Sequence, residues 1–136
     1  MAKMVRRILV VDDVEDWQKT LSGMLADEGY QVTAVGDRRS ALDALKAGHF
    51  GLAVIDVRLD ETDEANIGGL GLGSEIKGIL PDLPIIIITG YPSLEAIERA
   101  LQPDETGRTL AIDFVLKANV GELVDIVNRR LSLSQS

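Results

Sequence analysis

Four short apolar runs in this chain end in groups suited to phosphate chemistry. Ile8-Leu9-Val10-Val11 leads into Asp12 and Asp13, and Leu52-Ala53-Val54-Ile55 leads into Asp56. Ile85 to Ile88 leads into Thr89, and the run from Ile112 to Leu116 leads into Lys117. An ionised aspartate is a competent nucleophile toward phosphorus and forms an aspartyl phosphate. Three carboxylates brought together repel, so they require counter-charge. Lys117 is one source. A hard divalent cation such as Mg²⁺, which takes oxygen ligands and is commonly held by one or two carboxylates plus phosphate oxygens, is another. Thr89 would hydrogen-bond a phosphoryl oxygen. Positioning and charge neutralisation carry most of phosphoryl transfer, and this set of groups supplies both.

Such groups act together only if the elements bring them to one edge. Runs of four or five apolar residues, rich in β-branched side chains and followed by loops, read as buried strands of a parallel sheet. Tyr30 to Val35 alternates well enough for another strand. Between the strands the spacing turns helical. Trp17, Leu21, Met24 and Leu25 form one face, with Trp17 and Met24 read as core and Gly29 as the C-terminal stop. After the Gly36-Asp37 turn, Ala41, Leu42 and Leu45 give a short helix closed by Gly48. Leu72, Ile76, Ile79 and Leu80 form the next face, stopped by Pro81 and Pro84. Ser93 caps a helix through about Leu101. Asn119 and Glu122 resemble a capping box before the stripe Val120, Leu123, Val124, Val127 and Leu131.

Strand and helix thus alternate five times, which implies right-handed crossovers and a parallel sheet with helices on both faces. Ligands of such sheets bind outside the carboxyl ends of the strands. No repeat, linker or low-complexity tract divides the 136 residues, so a single domain over 1–136 is expected, with a core from about 7 to 131 and a tail at 132–136.

Composition excludes several classes. There is no cysteine, hence no disulfide framework, thiolate nucleophile or thiolate metal site. The lone His49 sits in a turn-like Ala47-Gly48-His49-Phe50 and reads as a surface residue. A net charge of −8 argues against direct nucleic-acid binding and suits a cation site or a basic partner. The apolar run after Arg6 and Arg7 is too short for a signal peptide, and no run approaches transmembrane length. A cytoplasmic protein without membrane insertion is expected.

On Ile8-Leu9-Val10-Val11-Asp12-Asp13, Val54-Ile55-Asp56-Val57-Arg58-Leu59, Ile87-Ile88-Thr89-Gly90 and Phe114-Val115-Leu116-Lys117, the chain resembles the receiver domain of two-component response regulators. The resemblance runs from Arg7 to about Leu131 and implies a flavodoxin-like, doubly wound, five-stranded parallel sheet in the order 2-1-3-4-5. It implies Asp56 as phosphoacceptor and Asp12 and Asp13 at Mg²⁺, Asp13 directly and Asp12 through water. It further implies the Arg58 backbone carbonyl as another metal ligand, Thr89 and Lys117 on the phosphoryl group, and Phe114 as an aromatic switch residue paired with Thr89.

The function implied is a phosphorelay switch. A sensor histidine kinase or a histidine phosphotransfer protein donates to Asp56, and an output protein reads the result. The domain acts as monomer or homodimer and is no enzyme beyond its own phosphoryl transfer and loss. Three departures stand out. Ala118 replaces the usual proline after the lysine, which favours a trans Lys117–Ala118 bond because a non-proline cis bond costs roughly 2.5–4 kcal/mol. Leu59-Asp60 stands where Met-Pro is usual. The stretches Asp60 to Gly69 and Gln102 to Leu110 are both long. The alternative function is an aspartate-nucleophile phosphohydrolase, which typically carries a second aspartate two residues after the nucleophile, where this chain has Arg58. A flavin carrier would need a phosphate-cradling loop where Asp12 and Asp13 stand.

Overall fold

The computed structural model describes residues 6–57, 68–90 and 93–131. Arg58, Leu59, Asp60, most of the loop up to Gly69 and the tail 132–136 lie outside the described residues. Five parallel strands, β1 (Arg7–Val11), β2 (Gln31–Val35), β3 (Leu52–Asp56), β4 (Ile85–Thr89) and β5 (Asp113–Leu116), stand in the order β2-β1-β3-β4-β5. The helices between and after them are α1 (Glu15–Ala26), α2 (Arg38–Ala47), α3 (Gly68–Ile79), α4 (Leu94–Leu101) and α5 (Gly121–Leu131).

The unbroken apolar runs are explained by the two faces of the sheet. Side chains alternate across a strand. Ile8, Val10, Leu52, Val54, Ile86 and Ile88 face α1 and α5, where they meet Leu21, Leu25, Leu123 and Val127. Leu9, Val11, Ala53, Ile55, Ile85 and Ile87 face α2, α3 and α4, where they meet Ala41, Leu70, Leu72, Ile76, Ala96 and Ala100. Every residue of β3 and β4 is buried, so no position on either strand is left for a polar side chain until the strand ends.

The ends of the elements show where local chemistry decides. Asp37 caps α2 by accepting the Ser40 N–H at 2.7 Å, and these hydrogen bonds hold its carboxyl below the usual range. Ser93 caps α4 through the Ala96 N–H at 3.1 Å. Gly29 takes φ +94° in the turn after α1, a conformation open to glycine. Tyr30 precedes β2 rather than opening it. Its hydroxyl donates to Asn128 Oδ1 on α5 at 2.7 Å, and burial pushes its phenol above the usual range.

Three sequence expectations are corrected. Ile79 and Leu80 are 59% and 38% exposed, because the buried face of α3 is Gly69, Leu70, Leu72, Gly73 and Ile76 and the helix ends at Ile79. Ile112 precedes β5 and is 36% exposed, although its N–H still bonds the Ile85 carbonyl at 2.8 Å. The Asn119–Glu122 cap is displaced. Residues Lys117–Asn119 wind as a 3₁₀ turn, α5 begins at Gly121, and the Leu123 N–H bonds the Val120 carbonyl at 3.0 Å.

Candidate phosphoryl and metal site at the sheet edge

The strand order puts β1, β3, β4 and β5 side by side. Their carboxyl ends therefore carry Asp12, Asp56, Thr89 and Lys117 in a row, with Asp13 next to Asp12. Backbone bonds fix the ends. The Asp12 N–H reaches the Val35 carbonyl at 3.0 Å, and the Val57 N–H reaches the Ile88 carbonyl at 2.9 Å, so the ladder continues past the last apolar residue. Asp12 and Thr89 are fully buried and Asp56 is 3% exposed.

Asp12 divides its carboxylate between two tasks. Oδ1 accepts the Val14 N–H at 2.9 Å and so shapes the start of α1, which has no side-chain cap of its own. Oδ2 lies 2.8 Å from Lys117 Nζ, placed for charge attraction and not aligned as a hydrogen bond. Gln18 Nε2 donates to the Asp12 carbonyl at 2.8 Å and ties the loop to α1. Lys117 Nζ also donates to Asp56 Oδ2 at 3.1 Å, with only 10% of its side chain exposed. The described peptide bonds include no cis bond, so Lys117–Ala118 is trans, and the ammonium reaches both carboxylates from that backbone.

Carboxylate oxygens of Asp12, Asp13 and Asp56 lie within 4.8 Å of one another. Three carboxylates around one ammonium leave excess negative charge at a buried edge, and buried charge is costly unless compensated. The donor set is all oxygen, anionic and compact. That is the chemistry a hard divalent cation selects, and it fits Mg²⁺ better than a soft metal.

Two residues of this neighbourhood make contacts that the sequence does not show. Trp17, read as core, is half-buried and turns its ring to Lys117, whose Nζ lies 4.9 Å from the ring centroid. Gly69 opens α3 directly against β3. Its N–H bonds the Val57 carbonyl at 2.8 Å, and a Cβ on it would fall inside the Asp56 carbonyl oxygen. The paired glycines were visible in sequence, but nothing there showed which of them meets β3. Phe114 stands opposite Ile87 on β4, half-buried against the α2–α3–α4 side of the core. Arg58 falls outside the described residues.

The family model for the response regulator receiver domain matches residues 8–128. The chain belongs to the response regulator receiver family. It is 34% identical over 110 residues to the transcriptional regulatory protein ZraR of Escherichia coli, covering 81% of this chain and 22% of that one. It is 32% identical over 129 residues to the nitrogen assimilation regulatory protein NtrX of Azorhizobium caulinodans, covering 94% and 26%. Among solved structures, the receiver domain of NtrX from Brucella abortus superposes with a TM-score of 0.76 at 31% identity, covering 93% of this chain and 98% of that one. A CheY-like receiver domain protein from Methanospirillum hungatei superposes with a TM-score of 0.77 at 26% identity, covering 96% and 97%.

This receiver domain therefore spans about a quarter of the length of the curated regulators it matches. Receiver domains are the phosphorelay switches of two-component systems. They interact with histidine kinases and with output domains, and they generally bind Mg²⁺ at an acidic pocket. The phosphohydrolase reading is not favoured. No helix among the described residues is long and apolar enough to cross a membrane.

Proposed function

We propose that Asp56 is the phosphoacceptor of this receiver and that residues 1–136 act as one signalling domain. The observation that carries this is the contact of Lys117 Nζ with both Asp56 and Asp12 at the sheet edge. The donor is a phosphohistidine on a sensor histidine kinase or a histidine phosphotransfer protein. One Asp56 carboxylate oxygen attacks phosphorus, an O–P bond forms, the P–N bond to the donor breaks, and the imidazole leaves and is reprotonated. Lys117 holds the developing charge with its ammonium. Thr89 offers a hydroxyl to a phosphoryl oxygen, a charge-assisted bond stronger than one between neutral groups.

Asp12, Asp13 and Asp56, with the Arg58 carbonyl, would hold Mg²⁺. When bound, the ion neutralises phosphoryl and carboxylate oxygens that would otherwise repel. Phe114, one strand from the Thr89 strand, follows any movement of that threonine. The partners are the phosphodonor and an output protein or domain that reads the switched surface.

The test is intact mass after incubation with Mg²⁺ and acetyl phosphate. One phosphoryl group should be gained, stable in acid and labile in base, and D56N should abolish it. Undiminished labelling of D56N would place the phosphoacceptor elsewhere. Catalytic turnover of many phosphate-ester substrates would revive the hydrolase reading.

A further inference from the structure

The insert Gln102–Leu110 takes no part in the phosphoryl site, yet it is a built element. Asp104 Oδ1 accepts the Thr106 N–H at 2.8 Å, the Thr106 hydroxyl at 2.6 Å and the Arg108 N–H at 3.1 Å. The Asp104 N–H bonds the Arg108 carbonyl at 2.8 Å, and Gly107 closes the turn at φ +84°. The insert is docked at its end. Leu110 packs where Gly73 leaves room on α3, and the Ala111 N–H bonds the Ala100 carbonyl of α4 at 2.9 Å.

Between this insert, α3 and α4 lies a cleft of about 820 Å³ whose walls include Ser74, Lys77, Arg99 and Arg108. That volume falls in the range of small-molecule sites. Its charge runs against the rest of the chain, which has 22 acidic residues and 14 lysines and arginines. Asp104 is the one carboxylate lining the cleft, and an oxygen of it is engaged by the insert's own turn. Among the described residues, no carboxylate lies within 4 Å of Lys77, Arg99 or Arg108. Lys77 is tied to the Pro81 and Leu83 carbonyls at 3.1 and 2.7 Å, and partial burial and the Arg108 guanidinium depress its pKa. Lys77, Arg99 and Arg108 thus line one preformed cleft in which Asp104 is the one lining carboxylate and Asp82 acts on Lys77 from beside it, with no salt bridge to any of the three among the described residues. Guanidinium forks match phosphate oxygens in pairs.

We propose that this cleft binds a small phosphate-bearing molecule with at least two negative charges, separately from the Asp56 site. The probe is inorganic pyrophosphate, titrated into the full chain in EDTA and followed by amide NMR shifts. Saturable shifts are expected at Lys77, Arg99 and Asp104 to Leu110, with affinity weakened tenfold or more in R99A/R108A and unchanged in R39A/K46A, which removes equal charge from α2. No saturable binding, shifts centred on Thr89 and Lys117, or equal weakening in both double variants would overturn the proposal.

Discussion

The Lys117 ammonium lies 2.8 Å from Asp12, 3.1 Å from Asp56 and 4.9 Å from the Trp17 ring centroid. The indole face attracts a cation by its quadrupole, an interaction of about 0.5–2 kcal/mol depending on desolvation. Lys117 is thus held from three directions without the proline that usually follows it in the family. A divalent cation drawn to the carboxylates competes with that ammonium for the same oxygens, and the indole senses the exchange. Trp17 is the chain's single tryptophan, so its emission reports the site. Addition of Mg²⁺ should change Trp17 fluorescence saturably, and D13A should lose the response. An equal titration in D13A would place the cation away from this cluster. The helical spacing of Trp17, Leu21 and Leu25 showed which face of α1 is inward. It did not show that a lysine distant in sequence would arrive over the ring, because that contact is made only when β5 takes its place in the sheet.

At the scale of the element, α3 joins the site to the sheet, and its glycines do different things. A Cβ at Gly69 would overlap the Asp56 carbonyl oxygen, part of the backbone that aims the Asp56 side chain. Backbone cannot yield as a flexible side chain does, so G69A must displace α3 or the end of β3. We expect a loss of about 1–3 kcal/mol, the usual cost of overpacking, and slower phosphorylation of Asp56. Gly71 has open space around its Cβ position and lies in the same helix. G71A should raise stability by about 0.5–1 kcal/mol, because alanine restricts the unfolded chain and favours helix. Urea denaturation of both variants checks the pair, and a stabilised G69A would mean that α3 does not sit on β3 as described. The strand order came only with the resemblance to receiver domains, whereas the strands and the polar ends of four of them were legible in the sequence from short apolar runs alternating with helical spacing. The contact of Gly69 with Asp56 was not, because a glycine carries no pattern of its own and its role is set by what approaches it. The start of α5 was misplaced by one residue for a similar reason, since the Lys117–Asn119 turn is set by the end of β5.

Over the whole molecule, the site sits at one edge while the insert is clamped between two helices that flank it. The phosphoryl group shifts the domain only by its differential interaction with two conformations. Under the proposed function, that interaction falls on Thr89 and Lys117, at the ends of β4 and β5. Thr89 is buried, and Phe114 on the neighbouring strand is half-buried against the core. We expect a small movement of the aromatic ring and a larger one in what β4 and β5 lead into. The Ala111–Ala100 bond and the Leu110–Gly73 contact couple the insert to α4 and α3, so displacement of α4 reaches residues 102–110 directly. Amide hydrogen exchange with Mg²⁺, with and without beryllofluoride as phosphoryl mimic, should therefore show altered protection around Thr89, through α4 and across Gln102 to Leu110. The β1 and β2 amides should stay unchanged. Altered protection confined to the neighbourhood of Asp56, with α4 and the insert as before, would mean that the signal leaves the site by another route.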